Sequence, residues 1–159
     1  MKKKILISTG GSGGHVIPAT VISDHLKDNF DILLSIDKRG TKFISLEGKN
    51  YIIIDTPRIV LNPFKTFLNL FKLIFVILKS IFYLKKEQVD ILISTGGYMS
   101  LPLCFAAKIL GLKLYLFEPN MVLGRANKIF LKYSKKIFCY SKNIINFPKK
   151  YFDKISIIE

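Results

Sequence analysis

Seven short, mainly aliphatic runs alternate along the chain with longer stretches of helical spacing. Runs that are apolar at successive positions, rather than alternate ones, are typical of strands buried on both faces of a parallel sheet. The helical stretches predict helices on both faces of that sheet. We therefore predict an α/β fold, with a doubly wound, mostly parallel sheet of about seven strands. The runs are 5–8, 32–36, 51–54, 91–94, 112–117, 136–140 and 155–158, and the helical stretches are 16–27, 63–86, 100–110 and 124–133.

The chain is short enough for one domain and apolar enough to bury a core. It has 159 residues, of which 50% are hydrophobic. The basic start, residues 1–4, precedes too few apolar residues for a signal peptide. Cys104 and Cys139 show no pairing pattern and read as small core residues in a reducing compartment. We therefore expect a cytoplasmic protein.

The charge balance points to a polyanionic partner. Lys and Arg number 25 against 11 Asp and Glu, which gives a net charge of +14. Nucleic acid, anionic lipid headgroups and a phosphorylated substrate are the candidate partners, and a biased genome composition is the alternative. Nucleic acid fits least, because the lysines follow an apolar helix without aromatic platforms for stacking bases. We expect no nucleic-acid partner.

A glycine-rich segment, residues 8–15 with the sequence STGGSGGH, joins the first predicted strand to the first predicted helix. Glycines let a backbone approach a ligand closely, and a helix N-terminus attracts phosphate. We predict that Ser12, Gly13 and Gly14 contact the ligand; the alternative is a tight turn without a ligand. His15 is either a general base that accepts a proton from an attacking hydroxyl, or a hydrogen-bonding partner of backbone or phosphate.

Two familiar phosphate loops can be compared with this segment. A dinucleotide-binding fingerprint needs a third glycine where the chain has Val16, although Asp37 stands where a ribose-binding acid would. A dinucleotide-binding oxidoreductase fragment therefore remains an alternative. A P-loop is excluded, because no Gly-Lys-Ser/Thr sequence follows the glycines.

Two further loops follow later strands of the predicted sheet. Residues 94–102, STGGYMSLP, place Gly96 and Gly97 in a second anion- or sugar-binding turn. There Tyr98 stacks on a ring, donates to a phosphate, or simply packs. In the third loop Glu118 and Asn120 suit sugar hydroxyls, and Glu118 is the alternative base. Asn127 is a further substrate contact or, with Lys128, a helix cap. No metal-binding cluster is visible, and we expect no cofactor.

The helical stretch 63–86 is apolar apart from a stripe of lysines spaced seven residues apart. Its longest uninterrupted apolar run, 73–78, is far shorter than the ~20 residues that span a bilayer. We predict a helix lying in an anionic membrane interface; a buried helix with a solvated lysine stripe is the alternative. The predicted membrane contacts are Phe64, Phe67, Phe71, Lys72, Phe75, Lys79 and Phe82.

Together the runs GGSGGHVIPA, STGGYMSLP and EPN…GRANK resemble glycosyltransferase family 28, the undecaprenyl-diphospho-muramoylpentapeptide β-N-acetylglucosaminyltransferases that form lipid II. The resemblance extends over essentially the whole chain. It implies the N-terminal half of a GT-B fold, in which two Rossmann-like domains face each other. This half would bind the undecaprenyl-diphosphate-linked acceptor and the membrane, on the cytoplasmic face of the bacterial inner membrane. The other half would bind UDP-N-acetylglucosamine.

The resemblance also implies roles for matching residues. The reaction would invert the anomeric carbon in one displacement, without a bound metal. The acceptor diphosphate would be held, or its muramoyl hydroxyl deprotonated, with the help of Gly13, Gly14 and His15. The second glycine loop would be formed by Gly96, Gly97 and Tyr98. The cleft would be lined by Glu118 and Asn120.

The chain departs from the family pattern in two respects. Pro119 stands where the family usually has glutamine, which stiffens the loop and removes any role of that side chain. The donor-binding half is absent, so residues 1–159 would form only the acceptor-binding domain, and we expect little or no activity from it alone. A non-catalytic, membrane-recruiting subunit of a split glycosyltransferase is the alternative.

Overall fold

The computed structural model describes residues 2–57 and 63–158, with side chains from residue 68 onward in the second range. All seven predicted runs form strands of one sheet, in the order β3-β2-β1-β4-β5-β6-β7, and every neighbouring pair is parallel. The predicted α/β fold is therefore confirmed. The strands are β1 Lys4–Ser8, β2 Asp31–Ile36, β3 Tyr51–Ile53, β4 Ile91–Ser94, β5 Lys113–Glu118, β6 Lys136–Cys139 and β7 Ile155–Ile157.

Within the described ranges, four α-helices connect the strands: α1 Gly13–Leu26, α2 Pro63–Lys86, α3 Leu101–Leu110 and α4 Arg125–Phe130. Two of the helices differ by three residues from their predicted bounds, and the other elements agree within one residue or two. Helix α1 begins three residues earlier than predicted, because the extended backbone of Ser12 at its N-cap brings both following glycines into the first turn. Helix α4 is shorter than predicted, and Gly124 occupies its N-cap, so Asn127 and Lys128 are not cap residues.

Helices cover the two faces of the sheet unequally. Leu6 of β1 belongs to the larger core, which lies beneath α2, α3 and α4. Its neighbours Ile5 and Ile7 point to the opposite face and pack with Ala19 of α1. The alternation along β1 thus divides its side chains between two cores, and the prediction of helices on both faces is confirmed.

Strand order reverses at β1, which lies between β2 and β4. The connections that leave β1 and β4 therefore run to opposite faces of the sheet, and a crevice opens between them beyond the carboxyl ends of the strands. Ligands of open α/β sheets bind at such a reversal. The register pairs Ser8 with Ser94, so the two glycine loops leave the sheet at the same level.

Candidate functional site

The first two glycine loops are joined where they leave the sheet. The Thr95 amide donates to the Ser8 carbonyl oxygen at 3.1 Å, and the Thr95 hydroxyl donates to the Thr9 hydroxyl at 2.9 Å. Both threonine side chains are buried. The hydrogen bond between the two hydroxyls therefore fixes the spacing of the loops at their base. The glycines that follow each threonine lie at the crevice.

The first loop is organised around a buried carboxylate. Asp37, which follows β2, accepts hydrogen bonds from the amides of Gly11 at 2.7 Å and Gly40 at 2.9 Å, and from Arg39 Nε at 2.9 Å. Gly10, with φ of 149°, passes so close that an added Cβ would lie 2.5 Å from Asp37 Oδ1. Burial opposes ionisation of Asp37, but these hydrogen bonds outweigh it and the pKa is lowered.

This geometry argues against the dinucleotide alternative. The Asp37 carboxylate is only 1% exposed and is used in bracing the loop, so it does not present oxygens to a ribose. Val16, at the position of the missing third glycine, is fully buried. Asp37 does lie at the predicted edge of the sheet, but its carboxylate accepts hydrogen bonds from backbone amides of the protein.

The predicted anion-binding residues lie at the start of α1. Ser12 is the exposed N-cap and makes no side-chain capping hydrogen bond, and Gly13 and Gly14 form the first turn. Amides of a helix's first turn have no partner within the helix, and no acidic side chain occupies this one. The turn therefore presents free N–H groups and the positive end of the helix dipole to the crevice.

His15 spans the gap between the first and second loops. Its Nδ1 lies 2.7 Å from the carbonyl oxygen of Thr95. A carbonyl oxygen only accepts, so Nδ1 carries the proton and Nε2 of the neutral ring holds the lone pair. The ring lies over Gly97, whose φ is 74° and where an added Cβ would come within 3.3 Å of His15 Cδ2. Glycine is therefore needed at this position for both backbone conformation and space.

The hydroxyl of Tyr98 forms a hydrogen bond within the chain. Its hydroxyl donates a hydrogen bond to the carbonyl oxygen of Thr56, three residues after β3. The guanidinium carbon of Arg39 lies 5.9 Å from the centre of its ring. In this structure the hydroxyl is thus used internally, and the ring remains the part of Tyr98 that a ligand would contact.

The third loop is held together by Glu118, the last residue of β5. Its carboxylate is 1% exposed. It accepts from the Asn120 amide at 3.2 Å and side chain at 3.0 Å, from the Gly124 amide at 2.8 Å, and from Asn127 Nδ2 at 2.9 Å. Four donors in these positions close the loop around the carboxylate and align the start of α4.

Asn127 connects that loop to the rest of the crevice. Its Nδ2 donates to the Phe117 carbonyl oxygen and to Glu118, which fixes the orientation of the carboxamide. Its Oδ1 is buried and has no donor among the residues that the structure describes. Buried acceptors are normally satisfied, so we expect a water molecule or a ligand hydroxyl there.

All three loops meet at Gly96. A Cβ added to Gly96 would lie 3.2 Å from Asn127 Nδ2 of the third loop and 3.3 Å from His15 Cε1 of the first. The structure therefore brings together four of the predicted site residues, His15, Gly96, Gly97 and Asn127. Asn120 is exposed at the rim, and His25, the other histidine, lies exposed on α1 away from the crevice.

Sequence reasoning missed Arg39, which stands between the first and second loops. The available signal was the charged triplet 37–39 directly after a buried strand, at the same edge as the loops. Such triplets usually mark solvated turns, so the sequence alone gives no reason to single out Arg39.

Helix α2 presents a wide apolar surface to solvent. Phe75 is 68% exposed and Phe82 is 70% exposed, whereas Ser80 and Leu84 on the opposite side are buried. At ~100° per residue, the exposed side chains of residues 71, 74, 75, 78 and 82 fall within an arc of about 100°. Lys72 and Lys79 are exposed beside this arc, as predicted. The side chains of Phe64 and Phe67 lie outside the described residues.

Neither a spanning helix nor a metal cluster is found in the described part of the chain. None of the helices there combines the length and apolarity that crossing a bilayer requires. In the same ranges, no group of three or more His, Cys, Asp or Glu side chains is placed to hold a metal ion.

Comparison with known sequences identifies the family of the chain. Residues 5–139 match the Glycosyltransferase family 28 N-terminal domain. The chain is 58% identical to the UDP-N-acetylglucosamine--N-acetylmuramyl-(pentapeptide) pyrophosphoryl-undecaprenol N-acetylglucosamine transferase of Pelagibacter ubique, over 99% of this chain and 44% of that protein. It is 33% identical to the protein of the same name from Staphylococcus aureus, over 96% of this chain and 45% of that protein. It thus spans less than half the length of either relative.

Solved structures share the fold. The crystal structure of Acinetobacter baumannii MurG superimposes with a TM-score of 0.81 at 22% identity, over 98% of this chain and 45% of that one. A putative UDP-N-acetylglucosamine 2-epimerase from Listeria monocytogenes gives 0.70 at 12% identity, over 98% and 44%. Because an epimerase has the same fold, the fold does not choose the reaction, which must be argued from the site.

Proposed function

Because the chain belongs to glycosyltransferase family 28, as its three loop motifs predicted, we propose that it is the acceptor-binding half of an N-acetylglucosaminyltransferase. The whole enzyme would transfer N-acetylglucosamine from UDP-N-acetylglucosamine to an undecaprenyl-diphosphate-linked muramoyl pentapeptide, the reaction after which the Pelagibacter ubique relative is named. UDP-N-acetylglucosamine would be held by a donor-binding domain or partner chain, matching the length that the relatives have and this chain does not cover.

One observation carries the proposal: His15 lies where three loops converge, and its Nδ1 is bound to the Thr95 carbonyl oxygen, which leaves the lone pair of the neutral ring on Nε2. The N–H groups at the start of α1, in the same helical turn as His15, suit the acceptor's diphosphate. Diphosphate and general base would therefore lie side by side, as they must when the reacting sugar is attached directly to that diphosphate. An epimerase needs no such pairing with a lipid-linked sugar.

The reaction assigns one proton transfer to this chain. As the acceptor hydroxyl oxygen attacks the anomeric carbon, Nε2 of His15 takes its proton, and the bond to UDP breaks with its electron pair leaving on the diphosphate. Attack from the face opposite UDP inverts the configuration. The Thr95 carbonyl oxygen, which accepts from Nδ1, stabilises the imidazolium that forms.

Glu118 is better suited to positioning than to proton transfer. Both of its oxygens already accept two hydrogen bonds each, and the side chain is buried. We assign to it the alignment of Asn120 and Asn127. These carboxamides would then contact the hydroxyls or amide of the acceptor sugar.

The apolar arc of α2 would hold the protein at the membrane surface where the acceptor lies. Phenylalanines enter the headgroup region, and lysines beside them attract anionic lipids. This arrangement describes a peripheral protein on the cytoplasmic face of the inner membrane, with the undecaprenyl chain in the bilayer and its diphosphate within reach of the crevice.

Co-sedimentation with vesicles tests the acceptor site. Neutral phosphatidylcholine vesicles are prepared with the lipid-linked muramoyl pentapeptide, with undecaprenyl phosphate, or with neither. We expect the acceptor lipid to increase binding of the chain well beyond undecaprenyl phosphate. Equal binding to all three, together with binding to anionic vesicles, would replace this proposal with a membrane-recruiting, non-catalytic subunit.

A further inference from the structure

Arg39 lies between the two glycine loops, beside Gly11 of the first and in contact with Met99 of the second. Its Nη2 is 3.8 Å from the position of a Cβ added to Gly11, and it donates to Met99 Sδ at 3.0 Å. The guanidinium also lies over the ring of Tyr98. Arg39 is thus a cation in the same crevice as the N–H groups that begin α1.

The guanidinium is held in place by a rigid partner. Arg39 Nε donates at 2.9 Å to Asp37, whose carboxylate is almost completely buried and is fixed by two backbone amides. A long arginine side chain normally loses conformational freedom when it binds a ligand. Here the Asp37 contact has already ordered it.

Arg39 retains hydrogen-bonding capacity. A guanidinium has five N–H donors, and here Nε serves Asp37 while Nη2 meets a thioether, a weak acceptor. In the described part of the chain, Nη1 has no protein acceptor. The side chain is 40% exposed, so a ligand can reach it. A phosphate oxygen is a much stronger acceptor than sulfur and would take the place of Met99.

We propose that Arg39 binds the diphosphate of the lipid-linked acceptor as a second anchor, on the phosphate that the α1 amides do not hold. The inference rests on the proposed function and adds a cationic subsite to it. The two linked phosphates would each meet one donor group, the α1 amides for one and the Arg39 guanidinium for the other. The planar guanidinium of arginine suits bidentate binding of a phosphate. Arg39 would therefore select diphosphates over monophosphates.

The test compares two soluble probes, geranyl diphosphate and geranyl monophosphate, by isothermal titration of the 159-residue chain. We expect the wild-type chain to prefer the diphosphate. Arg39→Gln should weaken diphosphate binding by about tenfold or more and monophosphate binding by less than ~3-fold, as expected for loss of one charge-assisted contact. Lys38→Gln is the matched control, because it removes the same charge from an exposed neighbour paired with Asp55, and both affinities should change by less than ~3-fold.

The outcomes separate this inference from the proposed function. If the wild-type chain binds neither probe, the acceptor site itself is contradicted. If it binds and Arg39→Gln keeps the preference for diphosphate, or loses affinity for both probes equally, only the role of Arg39 is overturned. Should Arg39→Gln fail to fold, Arg39→Lys decides, since it keeps the charge without the fork; an unchanged preference for diphosphate would overturn the inference.

Discussion

His15 and Thr95 lie on different glycine loops, and the imidazole Nδ1 donates to the Thr95 carbonyl oxygen across 2.7 Å. This contact selects the tautomer with a free lone pair on Nε2. It also couples the first loop to the second, because His15 holds this geometry only while Gly96 and Gly97 leave room for its ring.

The first prediction concerns His15 as the general base. Transfer is measured in a chimera in which this chain replaces the matching part of the Pelagibacter ubique relative. His15→Gln keeps a side-chain donor for Thr95 but removes the basic nitrogen, so turnover should fall by about 10²–10⁴-fold, with acceptor binding nearly unchanged. His25→Gln, on the exposed face of α1, should leave turnover unaltered. Normal turnover in His15→Gln would exclude it as the base.

The second prediction concerns Glu118 as a positioning residue. Glu118→Gln turns one acceptor into an N–H₂ group that faces either the two donors of Asn120 or the donors of Gly124 and Asn127. We expect it to lower the free energy of unfolding of the chain by roughly 1–3 kcal/mol, measured by urea denaturation. Glu47→Gln, at an exposed position, should change stability by less than ~0.5 kcal/mol. Wild-type stability in Glu118→Gln would contradict the positioning role.

The third prediction concerns acid stability and Asp37. Burial disfavours its charge, but the hydrogen bonds from Gly11, Arg39 and Gly40 prevail, and its pKa in the folded chain is below the value near ~4 of an unfolded aspartate. Its stabilising contribution is therefore complete above the unfolded pKa and is lost as pH falls through the folded pKa. Asp37→Asn should be less stable at pH 7 and should lose less stability than wild type below pH ~4. Parallel stability–pH curves would contradict this assignment.

The fourth prediction concerns the apolar arc of α2. Replacing both Phe75 and Phe82 with serine removes two exposed rings, and binding to vesicles containing anionic lipid should fall by about tenfold or more. The control is Ile109→Ser, which removes an exposed apolar side chain from α3. It should bind like wild type, and equal losses in both variants would show that the arc is not the membrane contact.

The sequence predicted the strands well because they carry a local signal. Runs such as 51–54, with the sequence YIII, are apolar at successive positions, and glycine or proline follows most of the seven runs. The pattern could not show how the faces are covered. Tyr115 and Phe138 stack on the face that α1 only partly covers, although their strands look as apolar as the others.

The site was predicted in outline and missed in its supporting contacts. His15, Gly96 and Asn127 follow strands that become neighbours, so their meeting follows from the topology. The burial of Glu118 depends on donors up to nine residues ahead, whose approach is set by how the loop closes. The role of Arg39 depends on the hydrogen bond from the Gly11 amide to Asp37. These two residues are 26 positions apart in the sequence, so no local pattern predicts their contact.

The most direct test of the central claim is transfer of N-acetylglucosamine by the chimera described above. The account predicts that it converts the lipid-linked muramoyl pentapeptide and UDP-N-acetylglucosamine to a disaccharide product, as the parent protein does under the same conditions. A folded chimera that binds UDP-N-acetylglucosamine but makes no product, beside an active parent, would contradict the claim that this chain supplies the acceptor site.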